Sequence, residues 1–138
     1  MQNKYYVVID TNVIVSALLG VSRMSNPTKV LKGVIEGKIV PLYNDEIISE
    51  YREVLLRKKF SFSEGLVDSV LKAIVNDGLY LDRTTVIDEL FSDPKDIVFY
   101  EVSLSKEGSY LVTGNLKHFP QKSFVISPID MVKLLEES

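Results

Sequence analysis

Three acidic residues occupy positions where a protein could use them for chemistry, and few other reactive side chains compete with them. Asp10 follows an apolar run, Glu50 lies within a helical pattern, and Asp96 lies in a predicted first helical turn. The 138 residues include no Cys and a single His, His118. The lack of Cys excludes thiolate zinc sites and a cysteine nucleophile, and a single His gives little support to a Ser-His-Asp arrangement. Any catalysis must depend on carboxylates.

Three carboxylates and an amide would make a hard oxygen site, which suits Mg²⁺ or Mn²⁺ better than Zn²⁺. A metal ion in such a site lowers the pKa of a bound water, orients a phosphate and stabilises the charge of the transition state. A second ion nearby can assist the leaving oxygen. This donor set therefore favours phosphodiester chemistry.

Glu50 is the least obvious member of the set because it lies beside an apolar stripe. It comes three residues after Ile47 and four before Val54, on a helix predicted from Asp45 to about Lys59. Burial raises the pKa of an acid unless a cation or hydrogen-bond donors stabilise its charge. Glu50 therefore needs a partner, and either Arg57 or a metal ion could be that partner.

Alternating strand and helix patterns carry these side chains. Strands are predicted at 5–9, 39–42, 79–81, 110–113 and 124–126. Helix starts are predicted at Asn12, at Asn26-Pro27 with Pro27 in the first helical position, and at Asp45, Ser63, Ser92-Asp93-Pro94 and Ser127-Pro128. Helix ends are predicted at Gly20, Gly37, Lys59, Gly78 and Gly108, and the segment 84–90 is ambiguous.

These spacings imply right-handed crossovers and a parallel sheet covered on both faces. The predicted fold is an α/β three-layer sandwich that forms one domain over residues 1–138. Ligands of such sheets bind at the carboxyl ends of the strands, where the strand order reverses. Asp10-Thr11-Asn12 follows the first strand, Thr113-Gly114-Asn115 follows the fourth, and Asp96 precedes the fourth. We therefore expect these side chains to share one edge.

Four segments resemble, in order, the successive motifs of PIN domains. They are residues 7–18 (VVIDTNVIVSAL), 49–51 (SEY), 93–99 (DPKDIVF) and 110–120 (YLVTGNLKHFP). Each segment alone is a weak signal, but four in order at this spacing are fairly specific. The resemblance spans Tyr5 to about Pro128, and it is closest to the single-domain PIN proteins that are similar to VapC toxins of toxin–antitoxin systems.

The resemblance implies a PIN fold and a Mg²⁺- or Mn²⁺-dependent endonuclease, usually acting on RNA. It also implies a cognate antitoxin that fills the groove, and a homodimer. By this resemblance Asp10, Glu50 and Asp96 are the metal ligands that serve catalysis, and Asn12 and Thr113 are polar supports.

Two positions depart from the family pattern. Many PIN domains carry a fourth acid where this chain has Asn115, whose carbonyl can ligate but brings no charge. We therefore expect one securely held cation and a second only when substrate is present. Many relatives also have an Asp where this chain has Ile97, and Asp93 could compensate in part.

Each candidate acid also has a purely structural alternative. Asp10 could be a helix-capping acid, and Glu50 could be an ion-paired surface acid. Asp96 falls where an acid interacts favourably with a helix dipole. For Asp93 the helix cap is the favoured interpretation.

The polar residues after the fourth strand have structural alternatives as well. Thr113 could hydrogen-bond only within its own turn, and Asn115 could be the left-handed residue that ends that turn. For His118 a structural turn role is favoured over catalysis.

A basic cluster could be a solvated face that suits a helix C-terminus, or a track for RNA phosphates beside the acidic site. The cluster consists of Arg52, Arg57, Lys58 and Lys59, with Lys95 and Lys117 as extensions. The formal net charge of −3 argues against attraction of the whole surface to nucleic acid but leaves room for such a strip. No apolar stretch approaches the ~20 residues that cross a bilayer, so we expect a cytoplasmic protein without membrane contact.

Two other functions compete with the nuclease. One is a PIN-like module that binds RNA or a protein without cleavage, because Asn115 weakens the metal site. The other is an aspartyl phosphotransferase. It is disfavoured because haloacid-dehalogenase-like enzymes carry a second Asp two residues after the nucleophile, where this chain has Asn12.

Overall fold

The computed structural model describes residues 4–84, 91 and 93–137. Its strands are β1 (Tyr5–Ile9), β2 (Ile39–Tyr43), β3 (Leu79–Tyr80), β4 (Tyr110–Val112) and β5 (Val125–Ile126). Its α-helices are α1 (Thr11–Leu19), α2 (Asn26–Ile35), α3 (Asp45–Leu55), α4 (Glu64–Asp77), α5 (Ile97–Leu104) and α6 (Pro128–Glu137). Short 3₁₀ turns occupy Val21–Arg23, Lys58–Phe60, Pro94–Asp96 and Leu116–His118.

The five described strands form one parallel sheet in the order β3-β2-β1-β4-β5. The chain runs outward from β1 to β2 and β3, and then returns to place β4 on the other side of β1. The strand order therefore reverses between β1 and β4, which is where such a sheet binds ligands. The predicted α/β sandwich with a central parallel sheet is confirmed.

The core lies on both faces of the sheet. Val7, Val8 and Ile9 are consecutive in β1, so they point to alternate faces, and all three are at most 1% exposed. This burial confirms the prediction of a strand covered on both sides. None of the helices in the described part of the chain combines the length and apolar character that crossing a membrane requires.

Most predicted elements are present, with differences at their ends. Asp10, and not Asn12, caps α1, because the Asp10 carboxylate accepts a hydrogen bond from the Thr11 N–H. Ser25 caps α2, so Pro27 is the second helical residue and not the first. Asn44 caps α3 by accepting a hydrogen bond from the Ile47 N–H.

Two helices are shorter than predicted. The helix predicted to reach Lys59 ends at Leu55, and Lys58–Phe60 forms a separate 3₁₀ turn. The helix predicted to run to Gly108 opens with a 3₁₀ turn and ends at Leu104. Thr84 is irregular, whereas Ser92 and the rest of the ambiguous segment, residues 85–90, lie outside the described residues.

Candidate metal centre

The carboxyl ends of β1 and β4 lie side by side and bring two site residues into contact. Ile9 pairs with Val112, and the Asp10 N–H donates to the Val112 carbonyl at 2.9 Å. The next residue, Thr113, is fully buried, and its hydroxyl donates to Asp10 Oδ2 at 2.7 Å. The structure therefore brings Asp10 and Thr113 to one edge, as their positions after two strands predict.

Asp10 is 5% exposed, and each of its carboxylate oxygens accepts a hydrogen bond. Oδ2 receives the Thr113 hydroxyl, and Oδ1 receives the Thr11 N–H at 2.8 Å. Burial raises the pKa of Asp10 above its ordinary value, these hydrogen bonds oppose the shift, and the charge of Glu50 adds to it. Asp10 is thus both a helix cap and a carboxylate held beside another acid.

Glu50 finds its partner in Thr11, which sequence reasoning did not single out. The Thr11 hydroxyl donates to Glu50 Oε2 at 2.7 Å. Arg57, the candidate ion-pair partner, is paired instead with Glu53 at 3.7 Å. The residue after Glu50, Tyr51, donates its buried hydroxyl to the Ile9 carbonyl. The signal for Thr11 was a hydroxyl directly after Asp10, but its partner lies 39 residues away.

Asp96 is the candidate acid with a carboxylate oxygen that lacks a described hydrogen bond. Its side chain is 15% exposed, and Oδ2 is fully covered yet has no hydrogen-bond partner among the described residues. The nearest basic group is His118 Nδ1 at 3.6 Å. Burial raises the pKa of Asp96 to about 6, and the negative charges of Asp10 and Asp93 add to the shift. Asp96 lies in the first turn after the Asp93 cap, as the helix-dipole alternative predicts, and it makes no capping hydrogen bond itself.

Asp93 is a cap, as sequence reasoning favoured. It is exposed, and its Oδ1 accepts a hydrogen bond from the Lys95 N–H at 3.0 Å. Its charge also raises the pKa of Asp96. Asp93 therefore organises the turn that carries Asp96 and adds negative charge beside it.

The two amides differ in their roles. Asn12 connects the first turn of α1 with the loop after β4, because its Oδ1 accepts a hydrogen bond from the Gly114 N–H at 3.2 Å. Asn115 is exposed and has a φ of −125°, so the interpretation of Asn115 as a left-handed residue is wrong. Its N–H donates to the Thr113 hydroxyl at 3.0 Å, which fixes the turn. Thr113 thus bonds within its own turn and also to Asp10.

One cleft of about 310 Å³ collects the candidate acids and amides. Its lining includes Asp10, Asn12, Glu50, Asp93, Asp96 and Asn115. Phe60, which was not foreseen, lines the cleft from the 3₁₀ turn after α3, and His118, for which a structural turn role was favoured, lines it from the turn after β4. Thr113 is not among the lining residues and contacts the site through its hydrogen bond to Asp10.

The residues of this cleft fit a hard divalent cation in donor chemistry. All candidate ligands are oxygens, and a covered carboxylate oxygen with no partner is costly unless a proton or a cation neutralises it. The metal site is not fully preformed: within the described ranges, no group of three acidic or His side chains is arranged closely enough to hold a metal ion. Glu50 uses only Oε2 in its hydrogen bond to Thr11, and Asp96 Oδ2 has no described hydrogen bond, so each of these two acids has an oxygen available to a cation.

The basic candidates fall into two groups. The two arginines are already paired, Arg52 with Asp68 at 2.7 Å and Arg57 with Glu53 at 3.7 Å. The lysines are exposed: Lys58 and Lys59 precede Phe60, and Lys117 precedes His118. Lys95 lines an adjoining cleft that shares Glu50. Exposed lysines therefore lie beside cleft-lining residues in two separate turns, Lys58–Phe60 and Leu116–His118.

Comparison with known proteins agrees with this arrangement. The PIN-domain family model matches residues 6–117, a range that holds both strand ends, Glu50, Asp96 and Asn115. No curated protein and no solved structure gives a significant match. The match covers well over half of the chain, and the chain therefore belongs to the PIN-domain family.

Proposed function

We propose that this PIN domain is a divalent-metal-dependent endoribonuclease that uses Mg²⁺ or Mn²⁺. PIN domains are generally nucleases, and PIN nucleases generally use divalent metal ions. The observation that carries the proposal is Asp96 Oδ2, a covered carboxylate oxygen without a described hydrogen-bond partner, 3.6 Å from His118 Nδ1, in the cleft that Asp10 and Glu50 also line. Burial, and then repulsion between the acids, raises the pKa of Asp10 and Asp96, and a divalent cation would neutralise this oxygen and offset both effects.

In this proposal Asp10, Glu50 and Asp96 hold the ion, with the Asn115 carbonyl as a neutral fourth ligand. When bound, the ion supplies a water of lowered pKa and offsets the charge that builds on the phosphate. Thr113 and the Thr11 N–H keep Asp10 ionised and oriented, because each donates to one of its oxygens. Since Asn115 adds no charge, a second ion is held only with substrate present.

The flanking lysines are the proposed contacts to the RNA backbone. Lys58, Lys59 and Lys117 are exposed, and each lies within two residues of the cleft-lining Phe60 or His118. Lys95 is the remaining candidate, next to Glu50. Arg52 and Arg57 are less suited because acids already neutralise them. An RNA strand bound at the cleft would thus have lysines from two separate turns available for its phosphates.

We further propose a cytoplasmic toxin that works as a homodimer and is silenced by a cognate antitoxin. The similarity of the four motifs to VapC toxins supports this role. Expression of the chain should arrest growth, whereas the Asp10→Asn variant should not. Growth arrest by Asp10→Asn at equal protein levels would contradict the toxin role.

RNA cleavage with matched metal controls tests the nuclease. A labelled single-stranded RNA should be cut with Mn²⁺ and remain intact with excess EDTA. Asp10→Asn should lower the rate by at least about 100-fold while the circular dichroism spectrum stays unchanged. Cleavage that persists in EDTA, or in that variant, would overturn the proposal.

A binding module without catalysis is the second candidate, and two observations favour it. The described acids are not preformed as a ligand set, and Asn115 replaces an acid. The same assay separates the candidates, because this module would retain RNA in a gel shift and leave it uncut with Mn²⁺.

A further inference from the structure

We propose that Thr11 is a positioning residue whose hydroxyl holds Glu50 on the side of the Asp10–Asp96 cleft, so that metal affinity depends on that hydroxyl. The inference rests on the proposed metal site. It concerns a residue outside the set of ligands.

Thr11 forms hydrogen bonds with two of the three acids, Asp10 and Glu50, which come from separate elements. It is the first residue of α1 and is 4% exposed. Its N–H donates to Asp10 Oδ1 at 2.8 Å, and its hydroxyl donates to Glu50 Oε2 at 2.7 Å. One buried residue therefore connects a carboxylate at the end of β1 with a carboxylate on α3.

The junction around Thr11 is fixed from the α3 side by two neighbouring residues. Glu50 accepts from Thr11, and the next residue, Tyr51, donates to the Ile9 carbonyl. Tyr51 is 1% exposed, and burial raises the pKa of its hydroxyl well above the ordinary value, so it remains a donor. Tyr51 anchors the backbone of α3 to β1, whereas only Thr11 bonds to the Glu50 carboxylate among the described residues.

The Thr11 hydroxyl matters because Glu50 lies between two clefts. On one side is the cleft that holds Asp10 and Asp96. On the other is an adjoining cleft of about 440 Å³ that Glu50 shares with Lys95. Without the Thr11 hydrogen bond, the charges of Asp10 and Asp96 repel the Glu50 carboxylate and the Lys95 ammonium attracts it toward the second cleft. Asp45, Glu46 and Glu53 also line that cleft, but the charges of Glu46 and Glu53 are offset by Arg83 and Arg57. The Thr11 hydroxyl therefore keeps the Glu50 carboxylate in the cleft that Asp10 and Asp96 line.

A second reason is preorganisation. Residues that hydrogen-bond to metal ligands orient them before the metal arrives, and their loss typically weakens metal binding about 10- to 100-fold. Thr11 is a partner of this kind for Glu50. Its hydroxyl bonds to Oε2, and Oε1 accepts no hydrogen bond from the described residues, so Oε1 is available to a metal ion. Removal of the hydroxyl should therefore weaken metal binding more than it changes the fold.

Two substitutions separate the hydroxyl from the shape of the side chain. Thr11→Val keeps the branched shape and removes the hydroxyl, whereas Thr11→Ser keeps the hydroxyl. Calorimetric titration with Mn²⁺, without RNA, should show a Kd raised about 10-fold in Thr11→Val and within about 3-fold of the unmodified protein in Thr11→Ser. Melting in EDTA reports on any loss of fold independently of metal.

A double variant tests whether the effect passes through Glu50. In a Glu50→Ala background, Thr11→Val should not change the Mn²⁺ Kd further, because no carboxylate remains to be positioned. A Thr11→Val protein that binds Mn²⁺ as tightly as the unmodified protein would overturn the inference. So would a loss of the same size in the Glu50→Ala background. If the unmodified protein binds no Mn²⁺, the proposed metal site itself fails, which is a different result.

Discussion

Asp96 is the residue at which burial and charge conflict most clearly. Its covered Oδ2 has no hydrogen-bond partner in the described chain, and Asp10 and Asp93 add negative charge around it. Its pKa of about 6 means that the carboxyl is mostly ionised at neutral pH in spite of the cost. The proposed metal site accounts for an acid at this position, because a bound cation would offset that cost.

Asp96→Asn should stabilise the metal-free protein. At about pH 7.5, removal of the unpaired charge should raise the free energy of unfolding by about 1–2 kcal/mol, measured by urea denaturation in EDTA. Stabilisation by Mn²⁺ should disappear in the same variant. Asp93→Asn is the control: its exposed side chain can still accept from the Lys95 N–H, so the change should stay within about 0.5 kcal/mol. An Asp96→Asn protein less stable than the unmodified one would count against the role of charge.

The stability of the metal-free protein should fall as pH rises. Asp96 binds its proton more tightly in the folded state, where its pKa is about 6, than in the unfolded chain. This contribution is fully present below about pH 4 and is lost as pH rises through about 6. The pKa of Asp10 is also raised, so its effect has the same sign. Thermal unfolding in EDTA at several pH values measures it.

Mn²⁺ should show the opposite pH dependence, because it binds the ionised carboxylates. The rise in melting temperature with millimolar Mn²⁺ should therefore be larger at about pH 7.5 than at about pH 5. Equal rises at both pH values would contradict binding by Asp96.

At the scale of elements, the site depends on the packing of α3 against the junction between β1 and α1. Tyr51 lies in the core of α3, and its hydroxyl reaches the Ile9 carbonyl directly before Asp10. The contact from α3 thus fixes the backbone at Ile9, directly before Asp10.

Tyr51→Phe should lower the free energy of unfolding by about 1–2 kcal/mol, because a buried hydrogen bond is lost without a change in shape. Tyr6→Phe is the control, since the Tyr6 hydroxyl makes no hydrogen bond within the described residues. Urea denaturation of both variants measures the difference. Equal effects of the two changes would contradict the role of the Tyr51 contact.

Sequence patterns placed Asp10 and Thr113 correctly because strand ends in a parallel sheet meet at one edge. They also placed Glu50 beside the core, since helical spacing from Ile47 shows which side it occupies. They missed Thr11 as its partner, because a contact across 39 residues depends on how α1 and α3 pack. The end of α3 at Leu55 was missed for a related reason, as the predicted apolar pattern did not reveal the turn that carries Phe60 into the cleft.

At the scale of the whole molecule, the proposed binding of RNA depends on a local group of lysines, because the net charge of the chain is negative. The net charge is −3, yet Lys58, Lys59 and Lys117 flank the cleft without ion pairs in the part of the chain that the structure describes. Each lysine that contacts a phosphate of single-stranded RNA should contribute about 0.7 to the slope of log affinity against log salt.

Replacement of these three lysines by Gln should therefore weaken RNA binding and reduce the salt slope by about 2. Fluorescence anisotropy in EDTA measures binding without cleavage. The matched control replaces Arg52 and Arg57, whose charges Asp68 and Glu53 already offset, and it should have a smaller effect for each charge removed. If replacement of the arginines weakened RNA affinity as much or more for each charge removed, the RNA would bind on another face.

Calorimetric titration of the metal-free protein with Mn²⁺ tests the central claim most directly, that Asp10, Glu50 and Asp96 form a divalent-cation site. The expected result is one ion per chain, with affinity at least about 10-fold weaker when any one of the three acids is replaced by its amide. An absence of binding, or unchanged affinity in all three folded variants, would contradict the claim.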